Sequence, residues 1–484
     1  MPSLRSAKRL STQLQSREIS AVELAQACID RVLDLDTGID AFLSVRDPEN
    51  VIAEAKKVDL RRRAGESLSP FAGIPIAVKD NIAVEEQPLT CASRILEHYQ
   101  PPYSATAVRR LQDAGLIVIG KTNMDEFGFG SSTENSAFKA TKNPRNVDRV
   151  PGGTSGGSAA AVAAGMVPWA IGTDTGGSVR QPASLCGVVG MRPSYGRVSR
   201  YGLVAYASSM DQIGPFSNNV EDAAALLSLI VGHDPCDSTS VQDDAPDFEG
   251  EVRSLRIGIP DEYRSDDCEP AIREVVDQTI EKVESLGWSA VPVGLPLTGY
   301  ALSAYYLIAS VEASSNLSRY DGVRYGLRVP GRNWTDMLFS TRTEGFGVEA
   351  KRRIMLGTFA SSSGYYDEYY LNALRVRTMI VREFARAFEQ VDLLLSPVSP
   401  TTAWPLGQRT HDPMSMYLSD VYSVPVALAG IPAIVIPAGN DPMNLPIGLQ
   451  LAGPAMGDAL VVGAGRLLEQ ALEYPEPPEL SAPV

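Results

Sequence analysis

Ile74-Pro75-Ile76-Ala77-Val78 is an unbroken apolar run that ends on Lys79-Asp80-Asn81. A strand buried on both faces reads this way, apolar at every position instead of at alternate ones. Leu116-Ile117-Val118-Ile119 repeats the texture, and a third run at 167–171 leads into glycines and hydroxyls. Outward on the N-terminal side, residues 1–65 carry a helical period. Leu4, Leu10 and Leu14 share one face, and Val22, Leu24, Cys28, Val32 and Leu33 do so after the capping box Ser20-Ala21-Val22-Glu23. On the C-terminal side a helix-rich segment covers about 300–390. Strand texture returns in Leu393-Leu394-Leu395 and in Ile431-Pro432-Ala433-Ile434-Val435-Ile436. The proline-rich tail after Tyr474 is expected to be mobile. With no internal repeat and no clear linker, the expectation is α/β: a helical segment over 1–65, one main domain over 66–470, and a tail over 471–484.

Composition narrows the function. Hydrophobic residues at 44% and charged residues at 21% describe a folded chain with a substantial core. The 43 Lys and Arg against 58 Asp and Glu give a formal charge of −15. Binding to a phosphate backbone draws on Lys and Arg, so this chain is not expected to grip nucleic acid unaided. The five cysteines are odd in number, widely spaced and without a C-x-x-C pair. That excludes a disulfide framework or zinc site as the organising feature and fits a reducing, cytoplasmic setting. The most apolar stretches, 159–171 and 424–437, are interrupted by Gly and Pro. Both fall short of the roughly 20 apolar residues that a membrane span needs. The Arg and Ser near the N-terminus are not read as a transit peptide, because the capping box soon opens an amphipathic helix.

Three motifs compete for the chemistry. Gly115-Leu116-Ile117-Val118-Ile119-Gly120-Lys121-Thr122 matches the Walker A pattern. Its variable positions are Leu, Ile, Val and Ile, which favour a buried strand over a phosphate-cradling turn, and the ordinary reading of Lys121 is a solvated strand end. Gly153-Thr154-Ser155-Gly156-Gly157 matches the G-x-S-x-G nucleophile elbow. An elbow needs a strand before it and a histidine after it. The residues before it, 143–151, are loop material, and of His98, His233 and His411 only His411 follows, in a polar stretch beside Asp412-Pro413. The third is Gly172-Thr173-Asp174-Thr175-Gly176-Gly177-Ser178-Val179-Arg180-Gln181-Pro182. An apolar run leads into it, and its glycines let backbone N–H groups converge beside a hydroxyl, as an oxyanion hole requires. Alone, it also reads as a glycine-rich turn with a capping serine.

Three segments taken together settle the choice among these. Gly73 to Asn81, then 152–161, then 172–182, in that order, strongly resemble the amidase signature family, and the likeness covers about residues 20–465. The resemblance implies an α/β fold with a large mixed, mostly parallel sheet, helices on both faces and helical additions. It implies a Ser-hydroxyl-Lys catalytic set without histidine. Carried over, the acyl-ester nucleophile is Ser178, the base is Lys79 and the relay hydroxyl is Thr154, where the family usually has serine after a cis peptide bond; Ser155 is the fallback. Thr175, Gly176 and Gly177, with the Ser178 N–H, become the oxyanion donors, and Asp174 and Arg180 brace the loop. The chemistry is coherent, since a lysine serves as base only when neutral, and burial at the end of an apolar run lowers its pKa.

Further stretches at 195–202, 208–215, 312–322 and 351–359 are similar to the glutamine-hydrolysing members of that family that serve tRNA-dependent amidotransferases. This implies glutamine as substrate, with Arg353 for its α-carboxylate, Asp420 for its α-amino group and Tyr305 lining the site. A free amino acid needs one cation and one anion in its pocket. The resemblance also implies a heterotrimer with B and C subunits, with tRNA held mainly by B. No cofactor or metal is then expected on this chain; ATP and Mg²⁺ serve the assembled complex. An independent amidase acting on other small amides, and an ATP-binding protein using residues 115–122, stand as the alternatives.

Overall fold

Burial on both faces turns the apolar runs into interior strands. The computed structural model describes residues 3–243, 245–250, 252–264 and 267–475. Among these residues the strands are β1 (Phe42–Val45), β2 (Pro75–Lys79), β3 (Ile117–Thr122), β4 (Trp169–Asp174), β5 (Val189–Arg192), β6 (Gln212–Ser217), β7 (Arg256–Pro260), β8 (Ser289–Val293), β9 (Leu393–Pro397), β10 (Ala433–Asn440) and β11 (Pro446–Ala452). They form one sheet in the order β1-β3-β2-β4-β6-β5-β10-β11-β9-β7-β8. Every residue of β2, β3 and β4 is buried, which accounts for their lack of alternation. Helices Gly156–Ala163, Arg180–Cys186, Val220–Ile230 and Asp458–Leu472 pack on the central strands.

The sheet is mixed, as expected, but not mostly parallel. Parallel pairing is confined to β2 with β3 and β4, and to β7 with β8 and β9. Antiparallel pairing joins β1–β3, β4–β6, β5–β6, β5–β10, β10–β11 and β9–β11. A parallel return needs a long crossover. Between β10 and β11 there is only the turn closed by the Asp441 N–H on the Leu445 carbonyl, at 2.9 Å, so the chain must double back.

The N-terminal segment is not wholly helical. Helices Ala7–Gln15, Ala21–Ile39 and Pro48–Arg63 form, but Phe42–Val45 adds β1 to the sheet edge, with Phe42 opposite Thr122. Leu10, Leu14, Cys28 and Phe42 share one core with Ile76 and Val78, which makes the segment part of the main body. A four-residue strand with a single fully buried side chain is too short to show a period. Leu33 lies off the buried stripe of its helix and is 63% exposed. At the other end, helix Asp458–Leu472 runs into the expected tail, and the Tyr474 hydroxyl donates to Asn440 Oδ1 at 2.8 Å. Residues 476–484 lie outside the described residues.

Over 300–390 the expected helices are Ala301–Asn316, Trp334–Gly345, Val348–Ala360 and Asn372–Gln390. The first, third and fourth of these hold a second apolar core with Phe127, Phe129 and Tyr206, to which Tyr305 and Tyr306 of the first helix belong. Lys121 is not solvated. It lies on β3 between two neighbours, fully buried, with Nζ 3.0 Å from Asp80 and 2.9 Å from the Pro88 carbonyl. The Walker-like segment is an interior strand carrying a buried ion pair, with no turn to cradle a phosphate. Among the described residues no helix is long and apolar enough to cross a membrane.

Candidate active site

β3, β2 and β4 are adjacent and parallel, so their C-terminal ends share one edge, where α/β proteins gather their ligands. Lys79 is the last residue of β2 and is fully buried. Its Nζ lies 2.7 Å from Thr154 Oγ1, 2.8 Å from Ser155 Oγ and 2.8 Å from Thr173 Oγ1 on β4. Burial pushes its pKa down to about 7, against the opposing pull of Asp125, Asp174 and Asp211. The desolvation read from the apolar run is the dominant effect.

The peptide bond between Gly153 and Thr154 is cis. Thr154 and Ser155 both reach Lys79, but they differ in what else they hold. Ser155 Oγ donates to the Thr173 carbonyl at 3.1 Å and accepts the Thr173 N–H at 3.2 Å, which ties it to β4. Thr154 Oγ1 has no bond besides that to Lys79 among the described residues. The Ser155 N–H donates to the Ser178 carbonyl at 3.2 Å, which brings the two glycine-rich segments together.

The loop bearing Ser178 is braced from below. Arg180 grips Asp174 with Nε and Nη2, each at 3.0 Å, and Arg192 adds a contact at 2.9 Å. Burial alone would raise the Asp174 carboxyl, but the two guanidiniums hold it well below the usual range. Thr175 Oγ1 donates to Asp211 at 2.7 Å. Gly177 has φ +151°, and a Cβ there would lie 2.2 Å from Ser423 Oγ, so only glycine fits. Among the described residues no acceptor takes the N–H of Gly176, Gly177 or Ser178, and Ser178 Oγ makes no hydrogen bond.

A narrow cleft is lined by Ser178, Gly176, Gly177, Tyr305, Arg353 and Asp420, which brings the expected nucleophile and two of the expected oxyanion residues beside the expected substrate groups; Lys79, Thr154 and Thr175 are not among its lining residues. Tyr305 packs on Gly176, whose Cβ would fall 2.7 Å from the ring. Arg353 is 2% exposed; Nε donates to Glu349 at 2.7 Å and Nη1 to the Tyr206 hydroxyl at 3.2 Å. Its guanidinium carbon lies 4.4 Å and 4.5 Å from the ring centroids of Tyr306 and Tyr417. Asp420 Oδ2 accepts from Ser131 Oγ at 2.7 Å and from the Tyr306 hydroxyl at 3.3 Å. Oδ1 accepts nothing among the described residues. Burial raises the Asp420 carboxyl to about 7, against these bonds and Arg353. Tyr206, Tyr306, Tyr417, Ser131 and Glu349 were not foreseen. Only Glu349 carried a sequence signal, its i,i+4 spacing from Arg353.

The elbow reading fails on geometry. Ser155 is buried and committed to β4, no strand precedes it, and His98, His233 and His411 are all exposed. A wider hollow of about 640 Å³, lined among others by Tyr263, Tyr422 and Arg409, contains none of the expected groups. The cleft at Ser178 is assigned by its chemistry, not its size.

The chain also has close relatives. The Amidase family model matches residues 23–462. The A subunit of the glutamyl-tRNA(Gln) amidotransferase of Moorella thermoacetica is 54% identical over 472 residues, covering 97% of this chain and 96% of that protein. Its namesake from Chloroflexus aurantiacus is 52% identical, covering 95% of each. Among solved structures, the A subunit of the glutamyl-tRNA(Gln) amidotransferase of Thermotoga maritima superposes with a TM-score of 0.80 at 42% identity, covering 96% of this chain and 95% of that one. The 6-aminohexanoate cyclic dimer hydrolase, complexed with substrate, gives 0.84 at 26% identity, covering 98% of each. With the family model spanning nearly the whole chain and relatives above half identity along its length, this chain belongs to the amidase signature family.

Proposed function

We propose that the chain is the glutamine-hydrolysing component of a tRNA-dependent amidotransferase that converts Glu-tRNA(Gln) to Gln-tRNA(Gln), Asp-tRNA(Asn) to Asn-tRNA(Asn), or both. One observation carries the substrate: a cation, Arg353, and an anion, Asp420, line the same cleft as Ser178. A cleft with both charges suits a free amino acid, whose carboxylate and ammonium need one of each. Arg353 Nη2 and Asp420 Oδ1, which make no bond within the described residues, are the atoms assigned to that task.

In the proposed mechanism Ser178 Oγ attacks the side-chain carboxamide carbon of glutamine. Its proton passes to Thr154 Oγ1, whose own proton passes to Lys79 Nζ. A neutral amine has two N–H donors and one lone pair, so one of its three hydroxyl neighbours must donate to it. Ser155 gives its proton to the Thr173 carbonyl, which leaves the hydroxyls of Thr154 and Thr173 able to donate. Thr154, whose hydroxyl has no other partner among the described residues, is assigned as the donor. The oxyanion forms opposite the N–H groups of Gly176, Gly177 and Ser178, with Thr175 anchoring their loop. Lys79 returns its proton to the departing nitrogen, ammonia leaves, and water hydrolyses the acyl-ester to glutamate. The Ser178–Thr154 bond is taken to form with substrate, since catalytic hydrogen bonds often tighten only in that complex.

The relatives are named as one lettered component of an amidotransferase, which supports partner chains, here B and C subunits. Ammonia would pass to the B subunit, which holds the tRNA in the cytosol and where ATP and Mg²⁺ act. The charge of −15 supports that division. In the reconstituted complex, glutamine labelled with ¹⁵N at its amide should place the label on the aminoacyl-tRNA. Hydrolysis of unrelated small amides by the isolated chain, without label transfer, would assign it as an independent amidase instead.

Two substitutions probe the cleft. Thr154→Val keeps the shape and removes the hydroxyl, and should lower glutamine-dependent kcat by about 10²-fold or more, whereas Thr154→Ser should stay within about threefold. Wild-type turnover in T154V would discard the relay. Asp420→Asn should raise the KM for glutamine at least about tenfold with a smaller change in kcat. Because burial raises the Asp420 carboxyl to about 7, and only its ionised form attracts an ammonium, wild-type KM should rise as pH falls through 7. Initial-rate titrations from pH 6 to 8.5 read both effects.

A further inference from the structure

Glu126 is 2% exposed, and its carboxyl group joins two segments far apart in the chain. Oε2 accepts the N–H of Gly347 at 2.8 Å, across a sequence separation of 221 residues, and Oε1 accepts from Ser93 Oγ. Gly347 is the N-cap of helix Val348–Ala360 and has no side chain with which to cap it. In a capping box a Glu or Gln at the third helical position takes the N-cap N–H. That position here is Ala350, and Glu126 supplies the acceptor from across the fold. The fit is close: a Cβ on Gly347 would lie 2.4 Å from Glu126 Oε2. The helix that starts there carries Glu349 and Arg353.

The residue before Glu126 contacts the segment Gly153-Thr154. The Asp125 N–H donates to the Thr154 carbonyl at 3.3 Å, and a Cβ on Gly153 would lie 2.3 Å from Asp125 Oδ2. Thr133 and Asn135 N–H groups fix that carboxylate at 2.8 Å and 3.0 Å. Adjacent residues therefore contact the backbone that bears the Thr154 hydroxyl and the start of the Arg353 helix. We infer that Glu126 is a positioning residue for glutamine: it fastens the helix bearing Arg353 to the segment behind Thr154, and so sets the span between carboxylate recognition and amide attack. This rests on the reading of Arg353 as the carboxylate ligand.

The test uses the assembled enzyme and steady-state kinetics with glutamine or ammonia as nitrogen donor. Glu126→Ala should raise the KM for glutamine about tenfold, with kcat within about threefold and ammonia-dependent transfer unchanged. Glu126→Gln retains an acceptor for Gly347 and a polar partner for Ser93, and should hold KM within about threefold of wild type. Gly347→Ala drives a methyl at the carboxylate and should raise KM in the same way, with less than additive effect in E126A. A drop in kcat and in ammonia-dependent transfer together in E126A would overturn the inference. So would an unchanged KM in G347A, which decides the matter if E126A does not fold. Arg353→Ala separates the two levels. A raised KM there, with E126A and G347A normal, removes only the positioning role; a normal KM removes the reading of Arg353 and this inference with it.

Discussion

Ser178→Ala should abolish glutamine-dependent amide transfer, by about 10⁴-fold or more, while transfer from added ammonia stays within about twofold. The size follows from the chemistry. Without Oγ no acyl-ester forms, and water attacking an amide directly gains only the oxyanion donors and binding in the cleft. Folding should be untouched, because Ser178 Oγ makes no hydrogen bond among the described residues and its loss leaves no buried partner unsatisfied. The loop is held instead by Asp174 with Arg180 and Arg192, by Thr175 with Asp211, and by Ser423, whose Oγ donates to the Gly176 carbonyl at 2.7 Å. Mass spectrometry after a brief glutamine pulse should find a glutamyl adduct on the wild-type chain and none on S178A. Near-normal hydrolysis in S178A would move the nucleophile elsewhere. Loss of ammonia-dependent transfer in a folded complex would break the proposed separation between glutamine hydrolysis here and amide formation on a partner.

How much of this was legible before the fold was known depends on the range of the interaction. The burial of Lys79 was legible because the apolar run before it is local and unbroken. The ends of β2 and β4 meet because parallel neighbours share an edge, a pairing that the apolar runs do not specify by themselves. What makes Lys121 a buried ion pair was not visible, because the strand β1 that covers it is four residues long and its partner Asp80 lies in another segment. The proposed substrate end was legible only in outline. Arg353 and Asp420 entered by resemblance, and the groups that aim them, Tyr206, Tyr306, Tyr417 and Ser131, come from segments far apart in the chain. The Ser131–Asp420 bond spans 289 positions. No period or spacing encodes such a contact; it exists only once two cores meet. The antiparallel half of the sheet was missed for a related reason, since strand texture reports burial and says nothing of direction.

Lys79→Ala should lower glutamine-dependent kcat by about 10³-fold or more, and Lys79→Arg should fail to restore it. Arginine restores charge and reach, but a guanidinium does not give up its proton in the accessible pH range. The contrast therefore separates a base from a mere cation. Wild-type kcat should rise with pH and level off above about 7, because the active form is the neutral amine and burial lowers the Lys79 pKa to about 7. The direction is fixed by that shift: a lysine at its ordinary value would leave activity still climbing well above pH 9. Asp420 is also raised to about 7, so the two titrations overlap in kcat/KM. They separate because saturating glutamine keeps Asp420 ionised against the bound ammonium, leaving the limb in kcat to the amine. In Asp420→Asn the pH dependence of KM should disappear while the limb in kcat remains. A kcat flat from pH 6 to 9 in wild type, or activity in K79R near wild type, would mean that Lys79 orders the three hydroxyls around it without taking a proton. The hydrogen bonds alone permit that role; the depressed pKa of a fully buried amine argues for the base.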